Sequence, residues 1–241
     1  SKYEIDMVNG PLLGKIIVYA LPLMASGILQ LTFNAVDLII VGQYAGSNAL
    51  AAVGSTSSLI NLMVNLFIGL SAGANVLVAR FYGGGQKQAL KESVHTSVAI
   101  SVIGGFLLIF VGFFLARPIL TLMDTPPEII DDAVTYIQIY FSGMPIIMLY
   151  NFGSAILRAV GDTRRPLYYL FLAGVLNVGL NILFVKNLHM GVAGVALGTV
   201  LSQVVSTTLL VRALMTSEGA YRLEWKEIRI TKDKLLKMLQ I

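Results

Sequence analysis

Cysteine is absent from the 241 residues. Its absence excludes disulfides, thiolate metal sites and cysteine nucleophiles, and says nothing further about compartment. Charge is scarce as well: Asp, Glu, Lys and Arg make up 12% of the chain against 56% hydrophobic residues, with a mean hydropathy of +0.79. Those values lie well outside the usual soluble range. The scarcity is uneven, because between Lys15 and Arg80 the single charged side chain is Asp37, set among Val36, Leu38, Ile39, Ile40 and Val41. A lone carboxylate in a run able to cross a bilayer is costly unless it faces a polar interior, which makes it a functional candidate by default.

Breaks at charges, Pro and Gly leave six apolar segments: 16–41, 51–79, 94–116, 133–155, 167–185 and 192–211. Each reaches the roughly 20 residues a helix needs to span about 30 Å of hydrocarbon. The first is too long, and too far from a small-residue cleavage site, to be a removable signal peptide. The expected fold is therefore all-α, a polytopic membrane protein with a six-transmembrane-helix bundle.

Orientation follows from basic residues in the short loops. With the N-terminus inside, fifteen of the 17 Lys and Arg residues fall on the inner face and only Arg117 and Lys186 on the outer. Both termini of the chain are thus expected on the cytoplasmic side of the cell membrane. The same asymmetry accounts for a pI of about 9.3 without nucleic acid. Residues 1–216 read as the bundle. Residues 217–234 alternate charges with Tyr221, Leu223, Trp225, Ile228 and Ile230, as suits a linker along the inner interface. Residues 235–241 resemble the approach to the first span, as though a second copy of the unit began there.

Polar side chains within the spans fall on helical faces. Gly27, Gln30, Asn34 and Asp37 share one face of the first span. Ser58, Asn61 and Asn65 line the second, Asn177 and Asn181 the fifth, and Thr199, Gln203 and Ser206 the sixth. Such groups commonly serve as interhelical glue at about 0.6 kcal/mol each. Glue does not require an ionisable group, so the set around Asp37 is read as a hydrated cavity. No Lys or Arg lies within a span to neutralise Asp37, which leaves it to bind a proton or a cation. At about 1.5 Å per residue it sits roughly 33 Å beyond Lys15, in the outer part of the membrane.

Pro22 removes a backbone hydrogen bond from the same helix and Gly27 permits close approach and bending, so a bend there would move the carboxylate. Met24, Tyr140, Met144, Pro145, Met148 and Tyr150 are candidates for an adaptable apolar pocket, with core packing as the competing role. Gly83-Gly84-Gly85 lacks a following Lys-Ser/Thr and reads as a tight turn, not a phosphate loop. His95 and His189 lie a membrane apart and cannot share a metal. With no nucleophile-base pairing and no metal-ligand spacing in the spans, the chain is not expected to be an enzyme or to carry a cofactor.

Several motifs then carry a family likeness. Val36-Asp37-Leu38-Ile39-Ile40-Val41-Gly42, Gly69-Leu70-Ser71-Ala72-Gly73 leading to Gly83, and Arg158-Ala159-Val160-Gly161-Asp162-Thr163-Arg164-Arg165-Pro166 resemble the multidrug and toxic compound extrusion (MATE) transporters. Leu176-Asn177 through Asn181, and Gly198-Thr199-Val200-Leu201-Ser202-Gln203, continue it in order. The resemblance implies twelve helices in two six-helix lobes exporting cationic or amphipathic drugs in exchange for protons or sodium ions. This chain is then similar to the first lobe, the linker and the start of helix 7, with the C-terminal lobe missing.

In the proton-coupled DinF-like branch the resemblance places ion coupling on Asp37, Asn177, Asn181 and Thr199, and the helix bend on Pro22. That branch often has aspartate where Asn181 stands here. Gln30, Asn34, Asn61, Asn65, Met144, Met148 and Gln203 become the expected substrate cavity. Three alternatives stay open: sodium coupling through Asp37 and the amide oxygens of Asn177 and Asn181, a lipid-linked precursor flippase with a more basic cavity, and a nontransporting membrane scaffold.

Overall fold

The computed structural model describes residues 2–241, and among them every regular element is helical. The helices are α1 (Leu12–Tyr44), α2 (Ser47–Gly83), α3 (Lys87–Phe114), α4 (Ala116–Leu122), α5 (Ile130–Ser142), α6 (Met144–Ala159), α7 (Arg164–Asn181), α8 (Gly191–Met215) and α9 (Lys232–Leu239). Five of them, α1, α2, α3, α7 with its extension and α8, are long and apolar enough to cross a membrane. Helices suit such runs because every backbone polar group is satisfied within the segment.

The fourth expected span is continuous in sequence and broken in space. Its two halves, α5 and α6, are inclined by 52° at Gly143, and taken together they are long and apolar enough to make a sixth span. The physical reason is local crowding. A Cβ on Gly143 would come within 2.7 Å of Val200 on α8, and one on Gly105 of α3 would strike the Pro145 backbone. Pro145, in the first turn of α6, forfeits no helical hydrogen bond there. The span therefore bends to let three helices approach closely.

Two turns depend on glycine. Gly85 closes the α2–α3 turn at φ +65°, and Gly161, at φ +90°, lies against the Ile5 backbone and accepts the Ile5 N–H at 3.3 Å. Beside Gly161, the buried Asp162 accepts the backbone N–H groups of Arg164 and Arg165 at 3.2 and 3.1 Å and pairs with the Arg165 guanidinium, opening α7. A carboxylate suits the exposed N–H groups of a helix start.

The core has two buried clusters, one toward each end of the bundle. The first joins Val41, Ala52, Leu120, Ile137, Phe141, Met144 and Met148, and the second joins Leu77, Val94, Phe152, Leu157, Leu210, Leu214, Tyr221 and Met238. The second cluster gathers the chain ends. The Glu4 carboxylate accepts the hydroxyls of Tyr82 and Tyr221, and Met238 of α9 lies against Gly73 of α2. His95 accepts the Glu224 N–H at 3.0 Å, and Thr96 accepts that of Thr231 at 3.1 Å. The N-terminal segment, the linker and α9 therefore meet at one end. α9 starts at Lys232, three residues before the expected point, and buries Lys234 and Met238 against α2 and α3.

Candidate functional site

The Asp37 carboxylate is held by α7. Asn177 Nδ2 donates to both of its oxygens, at 3.1 and 2.8 Å, and Asn181 Nδ2 donates to Oδ1 at 2.6 Å. Asn177 and Asn181 are four residues apart and so lie one above the other on one helix face. What brings α1 against that face is one turn away: Phe33 packs onto Gly174, where any Cβ would collide with the ring. Behind the asparagines stands α8, whose Gly198 leaves room for Asn181 Oδ1. Small residues at such crossings let backbones approach, as in other membrane bundles.

Two features of this cluster carry chemical meaning. The amide oxygens Asn177 Oδ1 and Asn181 Oδ1 are buried and have no hydrogen-bond partner among the described residues. A buried orphan acceptor costs about 1–3 kcal/mol. Immediately after Asn181 the helix widens into a π-helical turn, Ile182–Asn187, a feature frequent at functional sites. With the N–H groups turned inward, the amides suit an ionised carboxylate. Turning either amide by 180° would present an oxygen to Asp37, suiting a protonated carboxyl or a bound cation.

The other expected site residues are dispersed. The Thr199 hydroxyl donates to the Val195 carbonyl of its own helix at 3.1 Å and not to Asp37. Gln30, Asn34, Asn61 and Asn65 are exposed on the bundle surface, and Gln203 is half-buried, accepting the Ser206 hydroxyl at 3.3 Å. Met144 and Met148 are fully buried core residues while Met24 is exposed. The methionines therefore do not form the expected pocket, because the break at Gly143 drives the start of α6 into the core. No atom lies within 4 Å of a Cβ built on Gly27, so that glycine permits no close approach within this chain. Pro22 lies inside an unbroken α1. Among the described residues no cluster of His, Asp or Glu could hold a metal ion.

Sequence reasoning passed over Phe33, Gly174 and Gly198, which set the distances around Asp37. The available signal was a glycine three residues before Asn177 and another beside Thr199. It also missed a cavity of about 510 Å³ at the end carrying the termini, lined by Tyr19, Asn75, Tyr82, Arg158 and the N-terminal residues 4–8. The signal there was an arginine placed just before Gly161-Asp162.

Comparison with known proteins agrees with this architecture. The MatE family model matches residues 22–183. A probable multidrug resistance protein of Bacillus subtilis (strain 168), YpnP, is 32% identical over 200 residues, covering 82% of this chain and 44% of its own length. Crystal structures of a MATE protein in a bent and in a straight conformation, each 26% identical, superpose with TM-scores of 0.87 and 0.86 and cover 94% of this chain and 51% of theirs. The chain spans about half the length of the curated relatives it matches.

Proposed function

This chain belongs to the MatE family of membrane transporters, and on that footing we propose that it forms one lobe of a secondary multidrug exporter coupled to protons through Asp37. The observation that carries the reading is the half-buried carboxylate gripped by two asparagines whose own buried amide oxygens have no partner among the described residues. Such a cluster has two arrangements: carboxylate with amide N–H inward, and carboxyl with amide oxygen inward. A proton arriving from outside neutralises Asp37, an amide turns to accept the new O–H, and the grip of α7 on α1 changes. Bending of α1 near Pro22, which removes a backbone hydrogen bond within that helix, then closes the drug path. The gradient's electrical part supplies about 2.3 kcal/mol per charge per 100 mV.

Protons are favoured over sodium by the direction of the amides. One amide turn suffices to accept a carboxyl proton, whereas a sodium ion needs both N–H groups cleared from the carboxylate and oxygens put in their place. The inner end of the bundle, on this reading, is the one carrying the termini and most of the basic residues. The C-terminal lobe of the longer relatives would complete the drug cavity with the exposed Gln30, Asn34, Asn61 and Asn65. Amphipathic or cationic drugs are the proposed cargo.

Asp37→Asn tests the mechanism, since it keeps shape and removes the titrating group. In proteoliposomes holding the lobe joined to a C-terminal lobe, proton-driven drug efflux should vanish while the helical circular dichroism spectrum is retained. A carboxyl infrared band that comes and goes with pH in wild type, is missing in the variant and ignores sodium is expected. Undiminished efflux in Asp37→Asn, or a carboxylate band that responds only to sodium, would overturn proton coupling through this residue.

A further inference from the structure

The cavity of about 510 Å³ at the end carrying the termini plays no part in the coupling mechanism. It lies between the first turns of α1, the end of α2 and the end of α6, with residues 4–8 of the N-terminal segment across it. Among the described residues, Arg158 is the one basic residue in its lining. The Arg158 carbonyl accepts the Tyr19 hydroxyl at 3.0 Å. Its half-buried guanidinium, by contrast, enters no ion pair or side-chain hydrogen bond among the described residues; the titratable groups that act on it are Tyr150 and Tyr19.

Two carboxylates share the wall, and both are turned to donors of their own. Glu4 accepts from Tyr82 and Tyr221, and Asp6 accepts from the Val8 and Asn9 N–H groups and from Asn9 Nδ2. A guanidinium drawn partly out of water without a counterion is unfavourable, and its fork of donors matches the oxygens of a phosphate. The remaining wall is largely apolar, from Ile5, Val8, Ala79 and Val160, with the rings of Tyr19 and Tyr82. Gly83 ends α2 and Arg158 is the next-to-last residue of α6, so the cavity lies at the ends of two helices of the bundle.

We propose that this cavity binds a phosphate-bearing amphiphile, the Arg158 guanidinium holding the phosphate and the apolar wall holding the adjoining carbon chain. The phosphate belongs either to a membrane lipid or to a soluble phosphate ester, and the shared chemistry is the arginine–phosphate pair. Asp37 takes no part, so loss of proton coupling would leave this site standing, and the reverse.

The test uses the full chain in phosphate-free dodecyl maltoside with three probes: dihexanoyl phosphatidylglycerol, inorganic phosphate, and dihexanoylglycerol, which lacks the phosphate. Thermal unfolding midpoints and native mass spectra are followed against probe concentration. Wild type should bind the phospholipid saturably at one site, with at least tenfold weaker binding in Arg158→Gln. Ala79→Leu, which keeps the arginine and fills the cavity, should weaken binding likewise and decides the matter if Arg158→Gln does not fold. Binding of phospholipid alone identifies a lipid headgroup site, and binding of inorganic phosphate as well identifies a site for soluble esters; either supports the proposal. Equal binding of dihexanoylglycerol, or variants that bind as wild type does, would overturn it.

Discussion

At the residue scale, polar groups matter by what they face. Glu4 shows this outside the spans. Burial pushes its carboxyl up from 4.5, the hydroxyls of Tyr221 and Tyr82 are among the groups that act the other way, and the net is a carboxyl below its ordinary value. A carboxylate with a depressed folded value contributes stability that is present above about pH 4.5 and lost as the pH falls through the lower folded value. Tyr221→Phe removes one of these donors. The Glu4 titration observed by carboxyl NMR should move up toward the ordinary range, and the N-terminal segment should loosen at a higher pH than in wild type. An unchanged titration would show that the Tyr221 hydroxyl does not act on Glu4.

Asp37 is the contrasting case, with two donors from one neighbouring helix and no positive charge. Its place in the chain was legible from the sequence because a carboxylate that is the one charged residue in a run of 64 admits few benign explanations. That Asn177 and Asn181 share a face was also legible, from their spacing. Whether their amides or their oxygens turn inward was not, since residue identity and spacing do not set the χ2 angle.

At the element scale, close helix crossings carry the site. The α1–α7 approach rests on Phe33 seated over Gly174, one turn from the Asp37–Asn177 contact. Gly174→Val forces the two helices apart; overpacking of this kind typically costs about 1–3 kcal/mol. The thermal midpoint should fall, and Phe33→Ala placed in the same chain should restore much of the loss by vacating the space. A double variant no more stable than Gly174→Val would show that the crossing is not set by this pair. Hydropathy located the six spans but not the bend at Gly143 or the π-helical turn after Asn181. The bend goes with packing against α3 and α8, helices distant in sequence, to which a hydropathy window is blind.

At the scale of the whole molecule, the ends of the chain are tied to one end of the bundle. The linker is anchored on α3 by His95, Thr96 and the Lys91–Glu227 ion pair at 2.8 Å, and α9 lies on α2. The absence of cysteine makes the membrane orientation directly measurable. Single cysteines placed at Gly85 and Glu218 should react with a membrane-impermeant maleimide only from the cytoplasmic side, and those at Asp124 and His189 only from the outside. Labelling of Glu218→Cys and His189→Cys from the same side would contradict both the six crossings and the inside placement of the termini. The positions are suited to the test because all four are solvent-exposed loop residues.

Composition and pattern alone determined that this chain lives in a bilayer as a bundle of helices. Twenty-residue apolar runs have no other stable solution, and the cost of an unpaired charge singles out Asp37. Tertiary structure alone decided what Asp37 meets, that Met144 and Met148 pack in the core, that Thr199 keeps its hydroxyl within its own helix, and that Arg158 faces a cavity without a partner. Those outcomes depend on which small residues allow two helices to touch and on which rotamers the contact leaves open, as where Phe33 seats on Gly174 and sets what Asp37 meets.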